Sequence, residues 1–164
     1  MNAYDKMTVV GMADLNVVRA PGVLTTLGLG SCVGIALYDP MTKVAGLAHI
    51  MLPDSTQIKN NSNIARFADT GIMKLLRDMV LMGARKDYIK AKLAGGAQIF
   101  AFDARNPSMR IGDRNVEAST NILRNLNIPI VAQHVGDTYG RTIELYADDG
   151  RLIVKTIGHG IYTI

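Results

Sequence analysis

Five short β-rich runs, each closed by a turn signal, fill the first third of the chain and limit what it can fold into more than any other feature. They are Thr8 to Met12, Asn16 to Ala20, Val23 to Leu27, Val33 to Tyr38 and Val44 to Leu52, punctuated by pairs such as Pro21-Gly22 and Asp39-Pro40. A polar stretch from Pro53 to Asn63 reads as a loop. Helical periodicity begins only at Ile64 and runs through Phe67, Ile72, Leu75, Met79 and Val80, with Asn63 placed to cap it and Gly83 to end it. Strand character resumes from Tyr88 to Ala94, and a second amphipathic helix is predicted from Asp113, its expected cap, to Leu126. Ile130 to Val135, Thr142 to Tyr146 and Arg151 to Ile157 close the chain as strands, the last two as a hairpin around Asp148-Asp149-Gly150. Two helices among eight or nine strands predict an α/β protein: one domain over 1–164, with layered mixed or antiparallel sheets, sandwich-like, and the helices packed outside.

Composition agrees with one self-sufficient core. The apolar share is 48% and the charged share 20% over 164 residues, so the chain needs neither disulfide nor metal to fold. Its net charge of +4 comes from scattered Lys and Arg, and only 5% of residues are aromatic, which gives nucleic acid neither a basic stripe nor stacking platforms. A single cysteine excludes an internal disulfide framework and suits a reducing compartment. The polar start and the lack of any long apolar run point to the cytoplasm, without membrane insertion.

That cysteine sits in the run Thr26-Leu27-Gly28-Leu29-Gly30-Ser31-Cys32, just before a strand. If Tyr38 pairs with Lys43 across the Pro40 turn, counting back along the hairpin puts Cys32 directly opposite His49. Directly opposed residues share a face, with Cβ atoms about 4.5 to 5.5 Å apart. An imidazole at that distance can take the thiol proton and later return it to a leaving group, so Cys32 is the candidate nucleophile and His49 its candidate base. Such a partner is expected to raise the thiolate fraction and speed alkylation of Cys32 near pH 6. Backbone N–H groups around Gly30, Ser31 and Cys32 are candidate donors to a tetrahedral oxyanion. Thr26 supplies a hydroxyl to orient His49. The glycines of this loop imitate a dinucleotide fingerprint, but a strand follows them where a helix is required. His134 and His159 have no close ligand partner in sequence, so no metal is expected.

At these residues the sequence resembles the chemoreceptor glutamine deamidase CheD family of bacterial chemotaxis. The resemblance is carried by Pro21-Gly22-Val23, Thr26 to Val33, Ala48-His49-Ile50-Met51-Leu52-Pro53, Lys92 to Ala97 and Ile111-Gly112-Asp113-Arg114-Asn115. It implies a Cys, His and Thr triad on Cys32, His49 and Thr26, and a fold similar to cysteine-dependent deamidating toxins. It also implies hydrolysis of receptor glutamines to glutamate through a thioester, with no cofactor, and binding to a CheC-type phosphatase. The receptor substrate is helical, so apolar residues near the site should read one helix face; Phe100 and Phe102 are the candidates. A receptor-binding adaptor, an amine transferase and a receptor methylesterase remain open beside the deamidase, since the last two use the same acyl-enzyme.

Overall fold

The computed structural model describes residues 7–99 and 110–164. Within them run β1 (Met7–Val9), β2 (Leu15–Arg19), β3 (Val23–Leu29), β4 (Val33–Asp39), β5 (Val44–Ile50), α1 (Ala68–Leu81), β6 (Lys90–Gly95), α2 (Ile111–Asn125), β7 (Ile130–Val135), β8 (Arg141–Tyr146), β9 (Leu152–Thr156) and β10 (Ile161–Thr163). They form an α/β domain with two mixed five-stranded sheets, ordered β1-β3-β8-β9-β10 and β2-β5-β4-β6-β7. The pairs β1/β3 and β6/β7 are parallel, and all the others are antiparallel.

The central strands β4 and β5 are apolar on both faces, and alternation along them sorts the core into two layers. Val33, Ile35, Leu37, Ala48 and Ile50 pack toward the helices, against Ile72, Leu75 and Met79 of α1. Each of the Val, Ile, Leu and Met side chains among these, fully buried, contributes about 1.5–3 kcal/mol relative to exposure. Ala36, Ala45 and Leu47 face the other way, meeting Leu24, Leu29, Ile143 and Leu145 of the opposing sheet. The predicted layered, sandwich-like architecture with helices outside is the one observed.

Local differences have local causes. The β4–β5 loop keeps four residues but lies one position further along, so Asp39 pairs with Val44 and Tyr38 with Ala45 rather than Lys43. The Asp39 carboxylate accepts from Met41 N, Thr42 N and Thr42 Oγ1, and Lys43 takes the left-handed conformation that closes the loop. Helix α1 starts four residues later than expected, because the segment before it is drawn into a bridge with the end of β5. Met51 N and Leu52 N donate to Arg66 O, Leu52 pairs with Phe67, and Phe67 is extended. Asn63 caps a short 3-10 turn, Ile64–Arg66, instead of the helix. Gly83 does end α1, at φ +109°. Helix α2 starts at Ile111, so Asp113 lies in its first turn rather than at its cap.

Candidate functional site

Alternation along β5 sends His49 to the same side as Ala45 and Leu47, between the two sheets, where it is 0% exposed. The residue opposite it is Gly34, not Cys32. A two-residue change of register keeps every side chain on its face, so Cys32 stays on the His49 side as a diagonal rather than a direct neighbour. Cys32 is 7% exposed and belongs to the inter-sheet core cluster. Gly34 keeps this space open: a Cβ there would lie 2.6 Å from Ile143 Cδ1.

Thr26 enters from the other sheet, paired with Ile143. Its Oγ1 is 2.6 Å from His49 Nδ1 and 2.7 Å from the Val10 carbonyl oxygen. A carbonyl only accepts, so the single hydroxyl hydrogen goes to Val10, and the threonine oxygen must accept from His49 Nδ1–H. The remaining nitrogen, Nε2, then carries a lone pair. It is buried and has no hydrogen-bond partner among the described residues.

One residue after Thr26, β3 bulges. Leu27 and Gly28 stand against Thr142 alone, since Thr26 pairs with Ile143 and Leu29 with Arg141, and Gly28 takes φ +72°. The chain then turns tightly, with Gly30 N–H donating to Gly28 O at 3.0 Å. Gly30 is therefore not a free oxyanion donor, in contrast to the expectation from sequence. The next carbonyls are all tied down. Gly30 O accepts from Ala97 N, Cys32 O from Gly96 N, and Ser31 O from the Asn115 side chain. Gly95, at φ +109°, allows this approach, because a Cβ on it would sit 2.3 Å from Cys32 O.

Burial pushes the Cys32 thiol up from its ordinary value, an effect its own backbone N–H partly offsets, and burial pushes His49 down. Burial thus favours the protonated thiol and the neutral imidazole, which runs against the rapid alkylation expected near pH 6.

Cys32 and Ser31 line a cavity of about 410 Å³ with Met51, Gln98, Ile99 and Ile111. Met12 and Ile99 are exposed at its edge. Thr26, His49, Cys32, Gly30 and Ser31 thus gather at one end of the sheet sandwich, whereas Phe100 and Phe102 lie outside the described residues. His134 accepts from Arg141 Nε, and His159 stacks on Tyr139 at 4.2 Å between ring centres. Asn115, completely buried on α2 and bonded to Ser31 O, is not among the site residues expected from sequence; the signal for it is an amide on the inward stripe of an amphipathic helix, four residues before buried Ser119.

Comparison with known proteins adds to this geometry. The family described as CheD chemotactic sensory transduction matches residues 51–156. A probable chemoreceptor glutamine deamidase CheD from Caldanaerobacter subterraneus subsp. tengcongensis is 58% identical over 156 residues, 95% of this chain and 96% of that one. One from Lachnoclostridium phytofermentans is 56% identical over 153 residues, 93% of this chain and 95% of that one. The chemoreceptor glutamine deamidase CheD of Halalkalibacterium halodurans is 53% identical over 152 residues, 92% of this chain and 94% of its own. Among solved structures, the Bacillus licheniformis hypothetical protein YfiH is similar at a TM-score of 0.46 and 15% identity, over 74% of this chain and 49% of that one.

Proposed function

The chain belongs to the CheD family, and from that premise we propose that it is a chemoreceptor glutamine deamidase in which Cys32 is the nucleophile, His49 the general base and Thr26 the residue that orients His49. The observation that carries the assignment of roles is the fixed tautomer: Thr26 holds Nδ1–H, leaving the Nε2 lone pair free in the core cluster that contains Cys32.

As Cys32 Sγ attacks the side-chain carbonyl carbon of a receptor glutamine, His49 Nε2 takes the thiol proton and the carbonyl oxygen becomes an oxyanion. The Ser31 and Cys32 N–H groups are the nearest main-chain donors for it. When the intermediate collapses, the carbon–nitrogen bond breaks and His49 delivers its proton to the departing nitrogen, which leaves as ammonia. Water then attacks the thioester while His49 removes its proton. The carbon–sulfur bond breaks, the proton returns to sulfur, and glutamate is released. No cofactor enters this cycle.

The exposed Met12 and Ile99 at the cavity edge support docking of one apolar helix face of the receptor. A CheC-type phosphatase docks at the same mouth and competes with receptor. The lone free thiol supports a reducing, cytoplasmic setting, and no helix among the described residues is long and apolar enough to cross a membrane. Intact-mass analysis of a receptor cytoplasmic fragment tests the reaction: hydrolysis of the amide adds about one dalton per glutamine, whereas amine transfer or ester cleavage gives other shifts. A CheC-type protein added in excess should suppress that gain. An unchanged rate would remove it from the site.

A further inference from the structure

Asn115 is 0% exposed, and its Nδ2 donates at 3.0 Å to two carbonyls, Ser31 O and Met51 O. One side chain of α2 therefore joins the residue before Cys32 to the chain just beyond His49. The Ser31–Cys32 peptide is trans, so the Cys32 N–H points opposite to the Ser31 carbonyl. Asn115 draws that carbonyl toward α2, which turns away from α2 the N–H of the residue that carries the attacking sulfur. No backbone carbonyl among the described residues takes that N–H. A donor beside the attacking sulfur is where a new oxyanion needs one.

We propose that Asn115 is a positioning residue that sets the oxyanion hole, acting through the Ser31–Cys32 peptide plane to aim the Cys32 N–H at the oxygen of the scissile amide. The inference rests on the deamidase reading and adds a residue to it. Asn is suited to the task because its two N–H hydrogens can serve two carbonyls at once, whereas an aspartate would turn a carboxylate on both of them. Its backbone is braced in turn, since Asn115 O accepts from Ser119 Oγ at 2.7 Å. Asn115 makes no hydrogen bond to sulfur or imidazole, so it should matter far more to oxyanion-forming chemistry than to simple alkylation of the thiol.

The test compares Asn115→Asp, Asn115→Ala and Asn115→Ser with the unaltered protein, measuring kcat and KM for deamidation of a receptor fragment, the rate of Cys32 alkylation by iodoacetamide across pH, and the melting temperature. Alkylation displaces iodide at a saturated carbon and forms no oxyanion. The expected result is a fall in kcat of about a hundredfold or more with KM held, the usual scale for one lost oxyanion donor, while the alkylation rate and its pH profile stay within about twofold. Equal losses in deamidation and alkylation would overturn the proposal, as would an unchanged kcat. Failure of all three variants to fold would overturn it too, leaving Asn115 a structural brace. Cys32→Ala is run alongside: if it still deamidates, the assignment of Cys32 fails, whatever Asn115 does.

Discussion

Thr26 Oγ1 lies 2.6 Å from His49 Nδ1 and gives its own hydrogen to Val10 O, so a residue of one sheet fixes the tautomer of a histidine on the other. The contact depends on the hydroxyl and not on the methyl group of Thr26. Thr26→Ser should therefore keep most of the deamidase rate, while the isosteric Thr26→Val should lower kcat by roughly tenfold, less than the hundredfold expected for His49→Ala, because orientation is lost but the base remains. Steady-state rates on a receptor fragment check both. Equal activity in the Ser and Val variants would assign Thr26 to packing instead.

The titration behaviour of the pair sets a pH dependence. Burial lowers His49 from 6.5, so the acid limb of kcat/KM should lie below pH 6.5. Burial raises Cys32 from 9.0, so iodoacetamide should label it more slowly at pH 6 than it labels a free model thiol, with the midpoint of the rate profile lying above pH 9.0. Stability follows by linkage. Between the two His49 values the unfolded chain binds the extra proton, so stability is complete above 6.5 and declines as pH falls from there through the folded value. Urea midpoints in the unaltered protein should drop on acidification, and less so in His49→Gln.

Two glycines near the site should respond differently to alanine. At Gly95 a Cβ would sit 2.3 Å from Cys32 O on a backbone at φ +109°, whereas at Gly28, φ +72°, it would meet nothing within 4 Å. Gly28→Ala should cost only the left-handed backbone, about 1–2 kcal/mol. Gly95→Ala must also displace the Cys32 peptide, so it should cost more and slow deamidation as well. Urea unfolding and turnover of the two variants make the comparison. Equal effects would mean that the Gly95 contact relaxes freely.

Much of this arrangement was legible in the sequence because it depends on local pattern. Continuous apolar runs at Val33 to Tyr38 and Val44 to Leu52 marked the central strands, and period-3.6 spacing marked both helices. The hairpin register was misplaced because the loop is closed by Asp39 and a left-handed Lys43, where counting had centred it one residue earlier. Cys32 and His49 still shared a face, since an even slip preserves sidedness. The oxyanion loop was harder to read. Where its peptide planes point depends on partners distant in sequence, Ala97, Gly96 and Asn115, which hold its carbonyls. β10 escaped notice because its three residues are exposed and show no inward face.

The central claim is that deamidation passes through a thioester on Cys32. It is tested by adding hydroxylamine to the reaction of the unaltered protein with a receptor fragment and weighing both proteins. An acyl-enzyme partitions between water and hydroxylamine, so the modified glutamine should gain about 1 Da by hydrolysis and about 16 Da as the hydroxamate. On rapid quenching, a share of the enzyme should carry the receptor peptide minus ammonia, mapped to Cys32. Cys32→Ala, its fold intact, should give none of these products. A gain of about 1 Da alone at saturating hydroxylamine, or any deamidation by folded Cys32→Ala, would contradict the account.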